Sequence, residues 1–357
     1  MVEIIAEIGV NHNGDLKTAL KMIDVAKDCG ADVAKFQLFS ADKLVRKSAT
    51  IAKYQEENIG KKQTQYNMLK KLELTYEDHI KLSDYCKFVG IEYLSTAFDD
   101  NSLDFLQNVI KQKRFKIPSG EITNGLFIAK HAILSKPLIL STGMATLSEV
   151  EMALAIISYV LKNGNINPDS VDHILREYSA NEVPNRIEQL ITLLHCSSEY
   201  PAPLDTVNLK SMQTLGAAFN LNYGYSDHTQ GVEIAVAAVT LGAKVIEKHF
   251  TLDKAAVGPD HAASLNPDEL KLMVSSIKNI EKAMGSAVKR PSISELETAK
   301  LARKSLVAAN NIKKGEIFSA NHLTAMRPGT GKSPIDIWDL IGKQSSRDYI
   351  AGEEIDE

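Results

Sequence analysis

The chain has 357 residues, 44% of them apolar and 24% charged, enough for a full hydrophobic core and unlike a disordered chain or a disulfide-stapled miniprotein. Forty-one Lys and Arg against 45 Asp and Glu leave a net charge of −4, too balanced for electrostatic binding of nucleic acid or an anionic membrane, so a small-molecule partner is expected. The length suits two or three domains, or one large α/β barrel with an appendage.

The N-terminal run MVEIIAEIGVNHNG reads as a strand and not as a secretory leader, because Glu3 and Glu7 interrupt it. No stretch approaches the roughly 18 consecutive apolar residues of a membrane span. Cys29, Cys86 and Cys196 are odd in number and lack C-x-x-C spacing, which suits a reducing compartment. A soluble, cytoplasmic protein is expected.

Eight short β-branched runs follow one another, at 3–8, 32–39, 92–96, 115–118, 138–141, 191–197, 222–226 and 244–249, separated by amphipathic stretches. Asn13 and Asp15 open the first helix and Gly30 ends it. Thr146 with Glu149 forms a capping box, and Asn266-Pro267 supplies a cap followed by proline. Eight βα units over about 280 residues predict a (β/α)8 barrel, with an open doubly wound sheet as the alternative. Residues 41–66 read as a long polar loop placed as a lid would be, and 163–189 as a surface insertion. The expected domains are a barrel at 1–284, a charged helical linker at 285–303 and a small domain at 304–357.

Chemistry is sought where otherwise apolar strands end in polar residues. The first strand carries Glu7 near its end, in Ala6-Glu7-Ile8-Gly9. In the second, Lys35 and Gln37 share a face, so Lys35 becomes a buried cation if that face is the lumen. Lys116 with Ser119-Gly120, and Ser141-Thr142-Gly143, bring a cation, hydroxyls and free amides to adjacent strand ends, a composition suited to phosphate. Gly331-Lys332-Ser333 resembles a P-loop tail, but Met326 stands where the first glycine belongs. His228 and His249 end the last two strands, each two residues after another polar group, and suggest an open divalent-metal site for which Mn²⁺ or Mg²⁺ serves as well as zinc.

The segments AEIGVNHNG, KFQ, STAF, KIPSGE, LSTGM, LLHC with YPAP, GYSDHT, IEKHFTLDK and GPDHAAS resemble the sialic acid synthase family. The tail RKSLVAANNIKKGEIFSANHLTAMRPGTG resembles its antifreeze-like (SAF) domain, so a TIM barrel followed by a mostly β domain is implied. The resemblance implies a metal-dependent synthase that condenses phosphoenolpyruvate with an open-chain N-acetylated hexosamine and water, giving a nine-carbon 2-keto acid and phosphate. It implies a homodimer in which one SAF domain covers the partner's site. It puts the metal on His228 and His249, with Mn²⁺ first and Mg²⁺ or Co²⁺ as alternatives. Phosphoenolpyruvate falls to Lys35, Thr96, Lys116, Ser119, Ser141 and Ser226, and the sugar to Gln37, Tyr200, Asp260 and Arg327. Glu7 or Glu121 handles the proton.

Ser197-Ser198-Glu199 departs from the Thr-Asn-aliphatic pattern of some family members. N-acetylneuraminate synthase, acting on N-acetylmannosamine, is the first expectation. The alternative is N,N'-diacetyllegionaminate synthase, acting on a 2,4-diacetamido-2,4,6-trideoxy hexose. Rivals from other classes are a Schiff-base aldolase using Lys35, Lys116 or Lys248, and a non-catalytic glycan-binding protein.

Overall fold

The computed structural model describes residues 1–59, 62–180 and 187–357, which group into two compact units, Met1–Gly285 and Ser286–Glu357. In the first, all eight expected strands form: β1 Glu3–Gly9, β2 Val33–Leu38, β3 Glu92–Ala97, β4 Phe115–Ile117, β5 Leu138–Ser141, β6 Ile191–Cys196, β7 Asn222–Asp227 and β8 Val245–His249. They make one parallel sheet in the order β3-β2-β1-β8-β7-β6-β5-β4, and its two edge strands touch, so the sheet curls into a barrel. The open-sheet alternative is thereby excluded.

Side-chain alternation divides each strand between two environments. One set, including Phe36, Leu140 and Ile246, faces the helices in a large shared core. The other set fills the lumen in layers. At the N-terminal end Arg114 pairs with Glu3 at 2.6 Å and Glu92 at 2.8 Å. Above them Ile5, Val33, Leu94, Ile139, Leu194 and Val245 form a separate apolar cluster. Each such side chain contributes about 1.5–3 kcal/mol on burial. This dry floor carries the polar strand ends and keeps water from reaching them from below.

Local signals hold as the sequence predicts. Asp15 caps Leu16–Asp28 by accepting from Thr18 N, and capping boxes open Leu147–Asn163 and Pro267–Met284. The expected polar loop at 41–66 differs. It holds the short helices Ala41–Leu44 and Lys53–Ile59, runs into Gln65–Leu72, and is pinned by a Thr50–Thr64 bridge. Its few apolar residues gather against Val10 and Phe39, so a polar composition hides one apolar face. In the 163–189 stretch, helix Val171–Ser179 packs on Leu147–Asn163 through buried Ile174; residues 181–186 of this expectation lie outside the described residues.

The second unit contains helix Ile293–Ala302, so the expected linker is largely grouped with it. Its antiparallel pair, β9 Ser305–Ala308 and β10 Leu323–Met326, surrounds a small core of Leu306, Phe318, Leu323 and Tyr349. Among the described residues no helix is long and apolar enough to cross a membrane.

Candidate active site

The C-terminal ends of the strands open into one cavity of about 1110 Å³, which twelve of the fourteen expected site residues line. The two outside that lining are Glu121 and Arg327. Glu121 ends a 3-10 turn and accepts from Asn124 Nδ2 at 2.7 Å; Arg327 is exposed in the second unit and donates from Nε to Ala302 O at 2.9 Å.

The centre is a buried charge cluster. Lys35 Nζ lies 2.7 Å from Glu7 Oε2 and 3.5 Å from Glu247 Oε2, and Lys116 Nζ lies 2.8 and 2.9 Å from the two Glu247 oxygens. Ser226 Oγ donates to Glu247 at 2.8 Å, so this hydroxyl, expected on the substrate, braces the carboxylate. Gln37 Nε2 donates to Glu7 Oε1 at 2.9 Å, and Lys35 reaches Thr96 Oγ1 at 3.4 Å.

The two carboxylates are set apart by these partners. Burial works to raise Glu247, but Lys116 and Lys35 outweigh it and hold the carboxyl well below its usual range. Burial raises Glu7, and its lone close cation, Lys35, does not overcome that cost and the repulsion from Glu247. The lumen thus holds one carboxyl kept ionised by two lysines and one whose neutral form is favoured. Asp260, which also lines the cavity, is raised to about 7 by burial and by Glu7. Burial lowers Lys116, whereas Glu247 and Glu7 overcome burial and keep Lys35 raised.

Glu247 is the main site residue absent from the sequence expectation. Its signal is the i, i+2 spacing to His249, which puts both on the lumen face of β8. Lys248, between them, points the other way and binds Asp227 Oδ2 at 2.6 Å and Thr229 O at 2.8 Å, so it is no Schiff-base candidate.

Two glycines let the backbone close around the cluster. Gly9 sits at φ +54°, following a register shift in β1, and a Cβ there would lie 3.2 Å from His249 Cε1 and 3.3 Å from Glu7 Oε1. At Gly143 a Cβ would meet Ser198 Oγ at 2.6 Å and Ser119 Oγ at 2.9 Å, while Gly143 N donates to Ser119 Oγ at 3.0 Å. The strand-end hydroxyls Ser119, Ser141 and Thr96 line the cavity beside the lysines.

The rings of His228 and His249 lie with centroids 5.6 Å apart, and the Tyr200 ring lies tilted beside His228 at 4.1 Å. Burial lowers His228 to about 4 and, with the charge of His228 beside it, holds His249 well below its usual value, so both rings are neutral at pH 7. His228 Nδ1 donates to Ser197 O, which leaves Nε2 as the acceptor nitrogen, 3.5 Å from Ser226 Oγ, and His249 Nδ1 is buried without a hydrogen-bond partner. Among the described residues no group of three or more His, Cys, Asp or Glu side chains is placed to hold a metal ion. The donor set fits an open site with two imidazole ligands and positions left for water and substrate.

A closed parallel barrel carrying this cluster, followed by a small β domain, matches known proteins along nearly its whole length. Residues 22–289 match the NeuB family and residues 303–356 the SAF domain; the chain belongs to the NeuB family of sialic-type acid synthases. It is 48% identical to the N,N'-diacetyllegionaminic acid synthase of Campylobacter jejuni, over 99% of this chain and 98% of that protein. It is 45% identical to the synthase of the same name from Legionella pneumophila, over 98% and 92%. Among solved structures, the N-acetylneuraminic acid synthetase of Leptospira borgpetersenii is 33% identical, covering 83% of this chain and 90% of that one with a TM-score of 0.65.

Proposed function

We propose that this protein condenses phosphoenolpyruvate with an open-chain 2,4-diacetamido-2,4,6-trideoxy hexose and water, releasing phosphate and N,N'-diacetyllegionaminate. The observation that carries the reading is the 48% and 45% identity to two N,N'-diacetyllegionaminic acid synthases, against 33% to an N-acetylneuraminic acid synthetase. This reverses the order of acceptors expected from the sequence.

In the reaction, C3 of phosphoenolpyruvate bonds to the aldehyde carbon of the sugar, whose oxygen takes up a proton. Water adds at C2, the bond from C2 to the phosphate oxygen breaks, and the new C2 hydroxyl becomes the keto group; of the two protons that water brings, one ends on the sugar oxygen and the other on phosphate. Lys35 and Lys116 face the anionic groups of phosphoenolpyruvate, with Ser119, Ser141 and Thr96 as hydroxyl donors. Glu247 keeps both ammonium groups charged and fixed, so little reorganisation accompanies binding. The Glu7 carboxyl takes the proton released by water and returns it to an oxygen of the departing phosphate. Tyr200 and Asp260 face the sugar. Bound at His228 and His249, a divalent ion, Mn²⁺ first with Mg²⁺ or Co²⁺ as alternatives, supplies Lewis-acid polarisation of the aldehyde oxygen.

We infer a homodimer in which Arg327 of one chain reaches the acylamino sugar in the other. In its support, the second unit exposes Arg327 with the large apolar side chains Ile335 and Trp338, each 77% exposed. A cytoplasmic setting accords with three buried, unpaired cysteines. The discriminating experiment measures phosphate release and product mass with Mn²⁺, phosphoenolpyruvate and each sugar. The diacetamido sugar is expected to exceed N-acetylmannosamine by at least about tenfold in kcat/KM. A preference for N-acetylmannosamine overturns the acceptor, and no phosphate from any sugar overturns the reaction.

A further inference from the structure

The cavity has two unlike halves. One is the charged strand-end cluster on the barrel axis. The other is an apolar wall: Phe39 and Phe98, which follow β2 and β3, meet Leu44, Ile51, Met68 and Leu69 of the 41–72 segment, and all six line the same space. Met68 and Phe39 are nearly fully packed, whereas Leu44, Ile51, Leu69 and Phe98 keep partly exposed surface. Gln55 and Gln65 of the same segment add two side-chain amides to the lining. Asn58 Nδ2 donates to Pro259 O at 2.7 Å, tying the segment to the loop that carries Asp260. The wall thus borders the sugar's side of the cavity, whose volume exceeds the range of roughly 300–1,000 Å³ usual for one small ligand.

A hydroxyl pressed against such a surface loses its water without a replacement partner, while a methyl group gains by burial. An acetamido group offers a methyl to the apolar side chains and an amide that can pair with the glutamines. Resting on the legionaminate reading above, we propose that this wall selects the acceptor: Leu44, Ile51, Leu69 and Phe98 receive the C6 methyl and the C4 acetamido methyl of the trideoxy sugar, the two positions where N-acetylmannosamine carries hydroxyls. Specificity then resides in a segment that supplies no group to the bond-making chemistry. The discrimination expected from one buried methyl is about 10- to 200-fold.

The test uses the full chain with Mn²⁺ and phosphoenolpyruvate, and compares kcat/KM for N-acetylmannosamine with that for its 6-deoxy analogue, sugars that differ only at C6. The 2,4-diacetamido-2,4,6-trideoxy sugar is assayed alongside. Wild type is expected to favour the 6-deoxy sugar by at least about tenfold, Leu69→Gln and Ile51→Gln to reduce that ratio towards one, and Leu69→Met to keep it. Both Gln substitutions are at partly exposed positions, and circular dichroism checks that the variants are folded. A wild type without the 6-deoxy preference, or Gln variants that retain it, overturns the wall while turnover of the diacetamido sugar leaves the reaction standing. Absence of phosphate release from every sugar overturns the reaction and the wall together.

Discussion

Lys116 on β4 and Glu247 on β8 form a bidentate ion pair, 2.8 and 2.9 Å, across the barrel lumen. Their strands stand four places apart in an eight-stranded barrel, so the bond spans opposite walls, and Lys35 from β2 leans on the same carboxylate at 3.5 Å. One acidic group therefore organises both cations over a dry floor, where charge interactions are weakly screened.

Glu247→Gln leaves the buried Lys116 ammonium without its carboxylate and Lys35 with Glu7 alone. Breaking a buried pair from one side costs about 3–5 kcal/mol, so the urea midpoint should fall by a corresponding amount. Activity should fall with it, because the lysines lose their fixed positions. An unchanged midpoint removes Glu247 from the centre of this account.

Glu7 and Glu121 were equal candidates for the proton in the sequence. The structure separates them, since Glu7 lines the cavity and Glu121 is held by Asn124 outside the lining. Glu7→Gln is expected to lower kcat by about 10²–10⁴-fold with phosphoenolpyruvate binding largely retained, whereas Glu121→Gln should stay within severalfold of wild type. Calorimetry and phosphate release distinguish the two, and the reverse ranking returns the role to Glu121.

Metal dependence is read from His228 and His249. EDTA should abolish turnover and Mn²⁺ restore it, and His249→Ala should lose metal binding by calorimetry together with activity. Borohydride with a keto-acid substrate should trap no covalent adduct on Lys35 or Lys116, both of which are pinned to carboxylates. An active, metal-free His249→Ala enzyme, or a trapped lysine, excludes this arrangement.

Three buried histidines away from the cavity contribute to the pH dependence of stability. His12 and His131 are each lowered to about 4 and His79 to about 3, in each case chiefly by burial. Their stabilising contribution is complete above the unfolded value near 6.5. It is lost as pH falls from there, because the unfolded chain takes up protons that the folded chain refuses. The slope is on the order of 1 kcal/mol per pH unit for each. Urea unfolding should show the His131 share of this loss between pH 7 and 5: His131→Leu should reduce the slope by on the order of 1 kcal/mol per pH unit relative to wild type, whatever its effect on the midpoint. A slope unaffected by that substitution argues against the assignment.

Much of the architecture is legible in the sequence. Strand positions, helix caps and the polar strand ends are set by period-two alternation and by hydrogen bonds three residues apart, as at Thr146–Glu149 and Asn266–Glu269, so a linear reading finds them. The recognisable motifs also carried the family. What they did not carry was the sign of each face. Alternation says that Glu247 and His249 lie opposite Lys248, but only closure of the barrel makes the first pair internal. The ion pair of Lys116 with Glu247 joins residues 131 positions apart, a separation over which local sequence has no influence. The 41–66 segment was read as polar because its composition is polar; its sparse apolar side chains become a wall only when folding turns them together against Phe39 and Val10. Local chemistry is written in neighbouring residues. The site is made of residues that become neighbours only after the eight strands have closed.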